Sequence, residues 1–235
     1  MTQDRSTALI AAALLALGIV LGGYLLGDGL RRSRLADRSV TMRGLAERDV
    51  TADLATWTIS YSAQGTDLAA VQAASDQDTR IIADFFRRSG FKDNEISTAS
   101  VGVSQYFDND RGENRITVTR SLQLRTNDVM KARAAYARQA DLIRAGVAVQ
   151  EGSGMVYSFT KLNDVKPAMI AESTKDARRA AEQFAKDSGA EVGAIKQATQ
   201  GYFSVGARDG DESESGGGSP FQKVRVVTTI DFYLD

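Results

Sequence analysis

The segment Lys161-Leu162-Asn163-Asp164-Val165-Lys166-Pro167 sets two ammonium groups, an amide and a carboxylate at a predicted strand-to-helix turn. The N–H groups at a helix start attract anions, so Lys161 and Asn163 are candidate ligand or subunit contacts. The same turn has a structural reading, in which Asn163 or Asp164 caps the helix. Arg120 is the third candidate. It interrupts a strand face otherwise made of Ile116, Val118, Leu122 and Leu124. A guanidinium on an apolar face needs a counter-charge. Arg120 therefore meets an anion or a subunit, or else a bulge or a place at the sheet margin turns it outward.

Other clusters carry less. Arg208-Asp209-Gly210-Asp211-Glu212-Ser213-Glu214-Ser215, followed by three glycines, has enough carboxylates to attract calcium but not the spacing of an EF-hand loop. It reads as a solvated hairpin loop. Gly152-Ser153-Gly154 lacks the third glycine of a dinucleotide fingerprint, and no Gly-Lys-Ser/Thr phosphate loop occurs. Tyr202 and Phe203 read first as strand packing and second as exposed aromatics for a partner.

The chain has no cysteine and no histidine. Disulfides, thiolate nucleophiles and Fe–S ligation are excluded, as is Ser-His-Asp hydrolysis. The commonest zinc ligand and the commonest general base near neutral pH are missing. No catalytic residue, metal site or cofactor is expected. An enzyme here would have to rely on carboxylates or lysine.

The elements that would position these groups follow from periodicity. Alternation predicts strands near Ser39–Arg43 and Asp53–Ala63, the latter with Ala55, Trp57, Ile59, Tyr61 and Ala63 on one face. A helix capped by Thr66, with Leu68, Val71, Ala74, Ile81, Ile82 and Phe85 as its stripe, runs to Gly90. A hairpin follows: Ser97–Phe107, with Val101, Val103, Gln105 and Phe107 alternating, and Arg115–Thr126. A helix over about 128–145 has Val129, Ala132, Tyr136 and Ile143 inside. Then come a strand at Met155–Lys161 and a helix at Val165–Ser188 with Pro167 in its first turn. The stripe of that helix is Ile170, Ala177, Ala181 and Phe184. Strands near Ala194–Val205 and Gln222–Leu234 finish the chain. The order β-β-α-β-β-α-β-α-β-β predicts an α+β fold: a mixed, mainly antiparallel sheet with about three packed helices.

Ahead of that body, Ser6 through Gly27 is a 22-residue run without charge. About 20 helical residues match a bilayer core of about 30 Å. The expected organisation is a tail (1–6), one transmembrane anchor or signal-anchor (7–27) in contact with membrane lipid, a polar linker (28–38) and the body (39–235). A cleaved signal peptide is the competing reading, although its apolar region is usually shorter. Orientation is contested. Arg5 stands before the run and Arg31, Arg32, Arg34 and Arg38 after it, which favours a cytoplasmic body, but long domains translocate largely regardless of charge. Residues 1–35 hold four of the 29 basic and two of the 30 acidic residues, so the remainder carries about −3. That mildly acidic body lacks the basic footprint of a nucleic-acid binder.

Three stretches carry a family resemblance. One is Val40-Thr-Met-Arg-Gly44 with the Trp57 strand. The second is Phe86-Arg-Arg-Ser-Gly-Phe91 running into Ile96-Ser-Thr98. The third is Ala177-Arg-Arg-Ala-Ala-Glu-Gln-Phe-Ala185 ending at Ser188-Gly-Ala-Glu-Val-Gly193. Together they resemble the SIMPL domain family, bacterial envelope proteins of largely unknown function. The resemblance implies an α+β fold, export to the periplasm or envelope, ring-like homo-oligomers in at least one member, and links to oxidative stress in some. It carries no catalytic residues. The retained anchor is a departure from many relatives. The resulting expectation is a non-enzymatic protein of the inner membrane, single-pass with its body in the periplasm, that self-associates or scaffolds. The alternative is a periplasmic binding module for a small ligand or envelope component. Five methionines are too few for oxidant scavenging, so any role in stress would be indirect.

Overall fold

The computed structural model describes residues 16–27, 38–109, 112–209 and 216–234. Helix α1 (16–27) is exposed throughout. No helix among the described residues is long and apolar enough to cross a membrane. Residues 7–15 of the expected anchor lie outside the described residues.

The element order is β1 (Ser39–Thr51), β2 (Leu54–Gly65), α2 (Leu68–Arg88), β3 (Ile96–Asp108), β4 (Glu113–Thr126), α3 (Val129–Tyr136), α4 (Ala140–Arg144), β5 (Gly154–Ser158), α5 (Leu162–Ser188), β6 (Val192–Gln200), β7 (Ser204–Ala207) and β8 (Phe221–Leu234). This is the expected α+β class, but the single mixed sheet is instead two antiparallel sheets, and among the described residues four helices follow α1 where about three packed helices were expected after the N-terminal one. The chain divides into two compact units, one built on residues 47–169 and 203–225, the other on the segments through Ala46, Ile170–Tyr202 and Val226 onward.

In the first unit the sheet order is β3-β4-β2-β5. The predicted alternation of β2 holds: Ala55, Trp57, Ile59 and Tyr61 are each about 1% exposed. They lie opposite Thr126, Leu124, Leu122 and Arg120 of β4. Helix α2 lays Val71, Ile82, Phe85 and Phe86 against this face. Asp67 caps α2 in place of the expected Thr66, accepting a hydrogen bond from Ala70 N at 2.8 Å. Gly90 ends it at φ 89°, a conformation only glycine adopts freely.

The expected helix over 128–145 is two. No glycine or proline interrupts it, yet residues 137–139 form a turn between α3 and α4. In an unbroken helix Ile143 would continue the Val129–Ala132–Tyr136 stripe. The break advances the inward position by one, so Leu142 is buried and Ile143 is 63% exposed.

In the second unit α5 covers β1 and β8. Its inner stripe is Ser173, Ala177, Ala181 and Ala185, all 2% exposed or less, rather than the expected set that included Phe184, which is 45% exposed. Small residues win because the helix lies close to the sheet, where Ala177 and Ala181 pack on Ile230 and Phe232. Ser173 Oγ and Thr228 Oγ1 share a buried hydrogen bond of 2.7 Å. Leu45 N donates to Asp176 Oδ2 at 2.9 Å.

Candidate interaction surface

Arg120 keeps its place on the covered face of β4, opposite Tyr61. Neither outward reading holds: the register irregularity of this hairpin is in β3, between Thr98 and Ser100, and β4 is an inner strand. Arg120 Nη1 instead donates to Asp76 Oδ1 of α2 at 2.5 Å, with the arginine side chain 21% and the aspartate 56% exposed. Arg120 Nε is buried without a hydrogen-bond partner. Beside this pair, Thr79 Oγ1 donates to Ser75 O at 2.8 Å. Its proton being committed, Thr79 accepts from the Tyr61 phenol at 2.5 Å. Burial raises the Tyr61 phenol above its ordinary value, and burial also raises Asp78.

Asp76→Ala is expected to destabilise the fold by about 1–2 kcal/mol, between the cost of breaking a buried pair and the small worth of an exposed one. Asp76→Ala combined with Arg120→Met is expected to recover most of that loss, because the methionine needs no counter-charge. Urea unfolding of the single and double variants measures both.

Lys161 and Asn163 do not join Arg120. Thr160, preceding Lys161, donates its N–H and its hydroxyl to the Asp53 carboxylate at 2.7 and 2.8 Å, just before β2. Burial pushes Asp53 up, but these bonds and the Lys161 charge outweigh it and hold the carboxyl below its ordinary value. Asp53 is eight residues before Tyr61, about 25 Å of extended strand away from Arg120's level. Helix α5 begins at Leu162, so Asn163 and Asp164 lie within its first turn rather than ahead of it, and Pro167 sits a turn deeper than expected. Asn163 Oδ1 accepts from Lys166 Nζ at 3.0 Å. Lys161 is exposed. The three candidates therefore form no common site.

At the same end of the sheet, Glu95 accepts from Lys92 N and from Thr126 Oγ1, which hold its carboxyl below the ordinary range. An open polar cleft lies between Glu95, Arg125, Asn127 and Thr160. Among the described residues no three carboxylates stand close enough to hold a metal ion. Residues 210–215 of the acidic loop lie outside the described residues. The reading of Tyr202 as strand packing is corrected: it is fully exposed between β6 and β7.

The most distinctive surface lies on β3. Val101, Val103, Gln105 and Phe107 alternate along it as expected, and the three apolar ones lack cover. They share the face of Val118 and Arg120 yet are 60%, 57% and 56% exposed. Tyr106, on the opposite face, is 57% exposed. Among the described residues β3 is an edge strand with β4 as its sole partner in the sheet. From Ile96 to Phe107 it carries no charge and no proline, two of the devices that protect an edge, and its one irregularity lies near the start, between Thr98 and Ser100. The other edge, β5, is covered by the chain itself. Gln222 Nε2 donates to Tyr157 O at 3.0 Å, and the turn at Gly216–Gly218 packs Gly217 beside Val156.

The profile of the SIMPL family, described as "Protein of unknown function (DUF541)", matches residues 40–232. No curated protein matches the chain.

Proposed function

The chain belongs to the SIMPL family, and from that premise we propose that it is a non-enzymatic, membrane-anchored envelope protein whose body self-associates through the edge of β3. The observation that carries this reading is the uncharged run from Ile96 to Phe107 on an open edge, with Val101, Val103 and Phe107 exposed.

A second copy of the same strand is the occupant that fits. Antiparallel pairing of an edge with itself about a two-fold axis is self-complementary, because each outward N–H meets an outward C=O. An axis near Gly102 sets Val101 opposite Val103 of the second copy, on one face. Cross-strand pairs of β-branched residues each contribute about 0.2–1 kcal/mol. The absence of charge removes like-charge repulsion across the axis, and Asp108, at the strand's end, has Arg115 near it at 3.9 Å. Insertion of residues 7–27 in a bilayer would hold copies at high effective concentration, so a modest edge contact suffices. The periplasmic placement of the body follows the family resemblance rather than the arginine count.

The cysteine-free chain makes the test direct. Single cysteines at positions 101 to 105 are expected to give disulfide dimers on mild oxidation of the membrane fraction, with a maximum at the residue nearest the axis. Lys175→Cys, at an exposed position of α5, is the control and is expected to give few. Val103→Lys, which places two ammonium groups across the axis, is expected to cut crosslinking at least about ten-fold. Monomers at every β3 position, or recovery of the chain outside the membrane fraction, would overturn this reading.

A further inference from the structure

The face of the first sheet opposite Trp57 is a surface of hydroxyls. Along β2, Thr56, Thr58, Ser60 and Ser62 alternate with the buried residues from Ala55 to Tyr61, so they project to the other side. Thr117, Thr119 and Ser121 do the same on β4. The register sets Ser60 against Ser121 and Ser62 against Thr119, with Ser100 of β3 on the far side of Ser121. Helices α2, α3 and α4 pack on the Trp57 side, through Phe86, Ala132 and Leu142. The threonines of the hydroxyl side are only half-buried, and Ser100 is exposed.

Three of these hydroxyls form a relay across the strands. Ser100 Oγ donates to Ser121 Oγ at 3.1 Å, and Ser121 Oγ and Ser60 Oγ share a second bond of 2.9 Å. Three protons make two bonds, so one is left for an acceptor outside the protein whichever way the second bond runs. Thr58 Oγ1 accepts from Gln123 Nε2 at 3.3 Å and Ser62 Oγ accepts from Gln150 Nε2 at 3.0 Å, which leaves both of their protons available. Between Arg125 at one end of the face and Arg115 at the other there is no charged residue on it. Arg115 already has Asp108 at 3.9 Å and Glu113 at 3.6 Å. Tyr106, opposite Arg115 and 57% exposed, adds one aromatic ring at that end.

We propose that this face binds an uncharged, extended polysaccharide, a β-1,4-linked glycan laid along β2 and β4 with one sugar ring stacked on Tyr106. Sugar hydroxyls both donate and accept, as the serines and threonines beneath them do. The C–H side of a sugar ring is apolar and covers an aromatic ring. A β-1,4 chain is a ribbon that can follow a strand, whereas an α-1,4 chain coils away from it. The lack of charge between the two ends selects a neutral polymer, since an anionic one needs cations along its length. The composition also disfavours a protein partner, because protein interfaces are depleted in serine and enriched in aromatics, methionine and arginine. From Thr56 to Gln64 the face extends about 27 Å, room for several sugars at once. It lies on the side of β3 away from Val101 and Val103 and does not depend on self-association.

Calorimetric titration of the full-length protein, in a detergent without a sugar headgroup, with cellohexaose tests this. Saturable binding is expected, with maltohexaose, the α-linked isomer, bound at least about ten-fold more weakly. Tyr106→Ala removes the stacking ring, and Thr119→Arg blocks the middle of the face. Each is expected to weaken cellohexaose binding at least about ten-fold while the cooperative melting transition is kept. Should one variant fail to fold, the other carries the test. Val103→Lys, on the reverse side of β3, disables the edge contact and is expected to leave cellohexaose affinity unchanged, which separates the two readings. Thr119→Cys is expected to give no disulfide dimers on mild oxidation, and their formation would assign the face to a second copy instead. That result, absence of saturable cellohexaose binding, equal affinity for maltohexaose, or full affinity in a folded Tyr106→Ala or Thr119→Arg variant would overturn the proposal.

Discussion

Gly44→Ala is expected to destabilise the second unit by about 3 kcal/mol or more, the upper range for overpacking. A methyl group at Gly44 would overlap Ser173 O and Ala177 N of α5 and stand 2.9 Å from Ala177 Cβ. Two of these obstacles are backbone, which cannot rotate aside as a long side chain can. Relief requires α5 to move off β1. That movement would disturb the packing of Ala177 and Ala181 on Ile230 and Phe232 and the Leu45 N to Asp176 bond. For a chain of this size, that loss corresponds to a fall in Tm of about 6–12 °C. Gly154→Ala is the matched control, since nothing lies within 4 Å of its added methyl, and a change within about 0.5 kcal/mol is expected there. Thermal unfolding of the two variants beside the wild type checks this. Equal stability of both would mean that the close approach of helix to strand is not a constraint.

Phe86→Ala is expected to cost about 3–5 kcal/mol, the range for removing a buried aromatic ring. Phe86 has no exposed surface. It meets Trp57 edge-on at 5.2 Å and Phe91 at 6.3 Å, and is tilted against Phe85 at 6.0 Å. Its removal takes away both buried area and these oriented ring contacts. Phe107→Ala provides the contrast. That ring is 56% exposed on the β3 edge, so its loss is expected to leave folding stability within about 0.5 kcal/mol while lowering β3-dependent crosslinking. Urea midpoints at matched m-values measure the first effect and non-reducing gels the second. A large stability loss from Phe107→Ala would show that the edge belongs to the core of the unit rather than to an interface.

The two phenylalanines illustrate where periodicity succeeds and where it stops. Alternation placed Trp57, Ile59, Leu122 and Leu124 in the interior, where the structure has them. The same alternation in Val101, Val103 and Phe107 is just as regular, and those residues are exposed. A strand's side-chain period is a local property of the backbone. Whether anything covers a given face depends on where a helix far along the chain comes to lie. Arg120 shows the same limit. Its counter-charge, Asp76, is 44 positions away on α2, and no spacing rule relates a mid-strand arginine to a mid-helix aspartate. Lys161 and Asn163 were legible as a charged turn, but the turn's role in holding Asp53 became visible only with β2 beside it.

Some properties belong to the linear chain alone. The lack of cysteine and histidine, the uncharged run from Ser6 to Gly27, the glycine stops of the helices, the α+β class and the likeness to one family are all matters of residue type and order. Covalent chemistry, charge and local backbone preference act over a few residues, so they can be read without a fold. Tertiary structure decided what depends on distant segments meeting. It split the expected sheet in two, broke the helix over Trp57, replaced Phe184 with Ala185 at the interior, and left the β3 edge open while Gln222 covered β5. Each outcome turns on which surface reaches which, and burial and pairing free energies are set by contacts that the order of residues does not state.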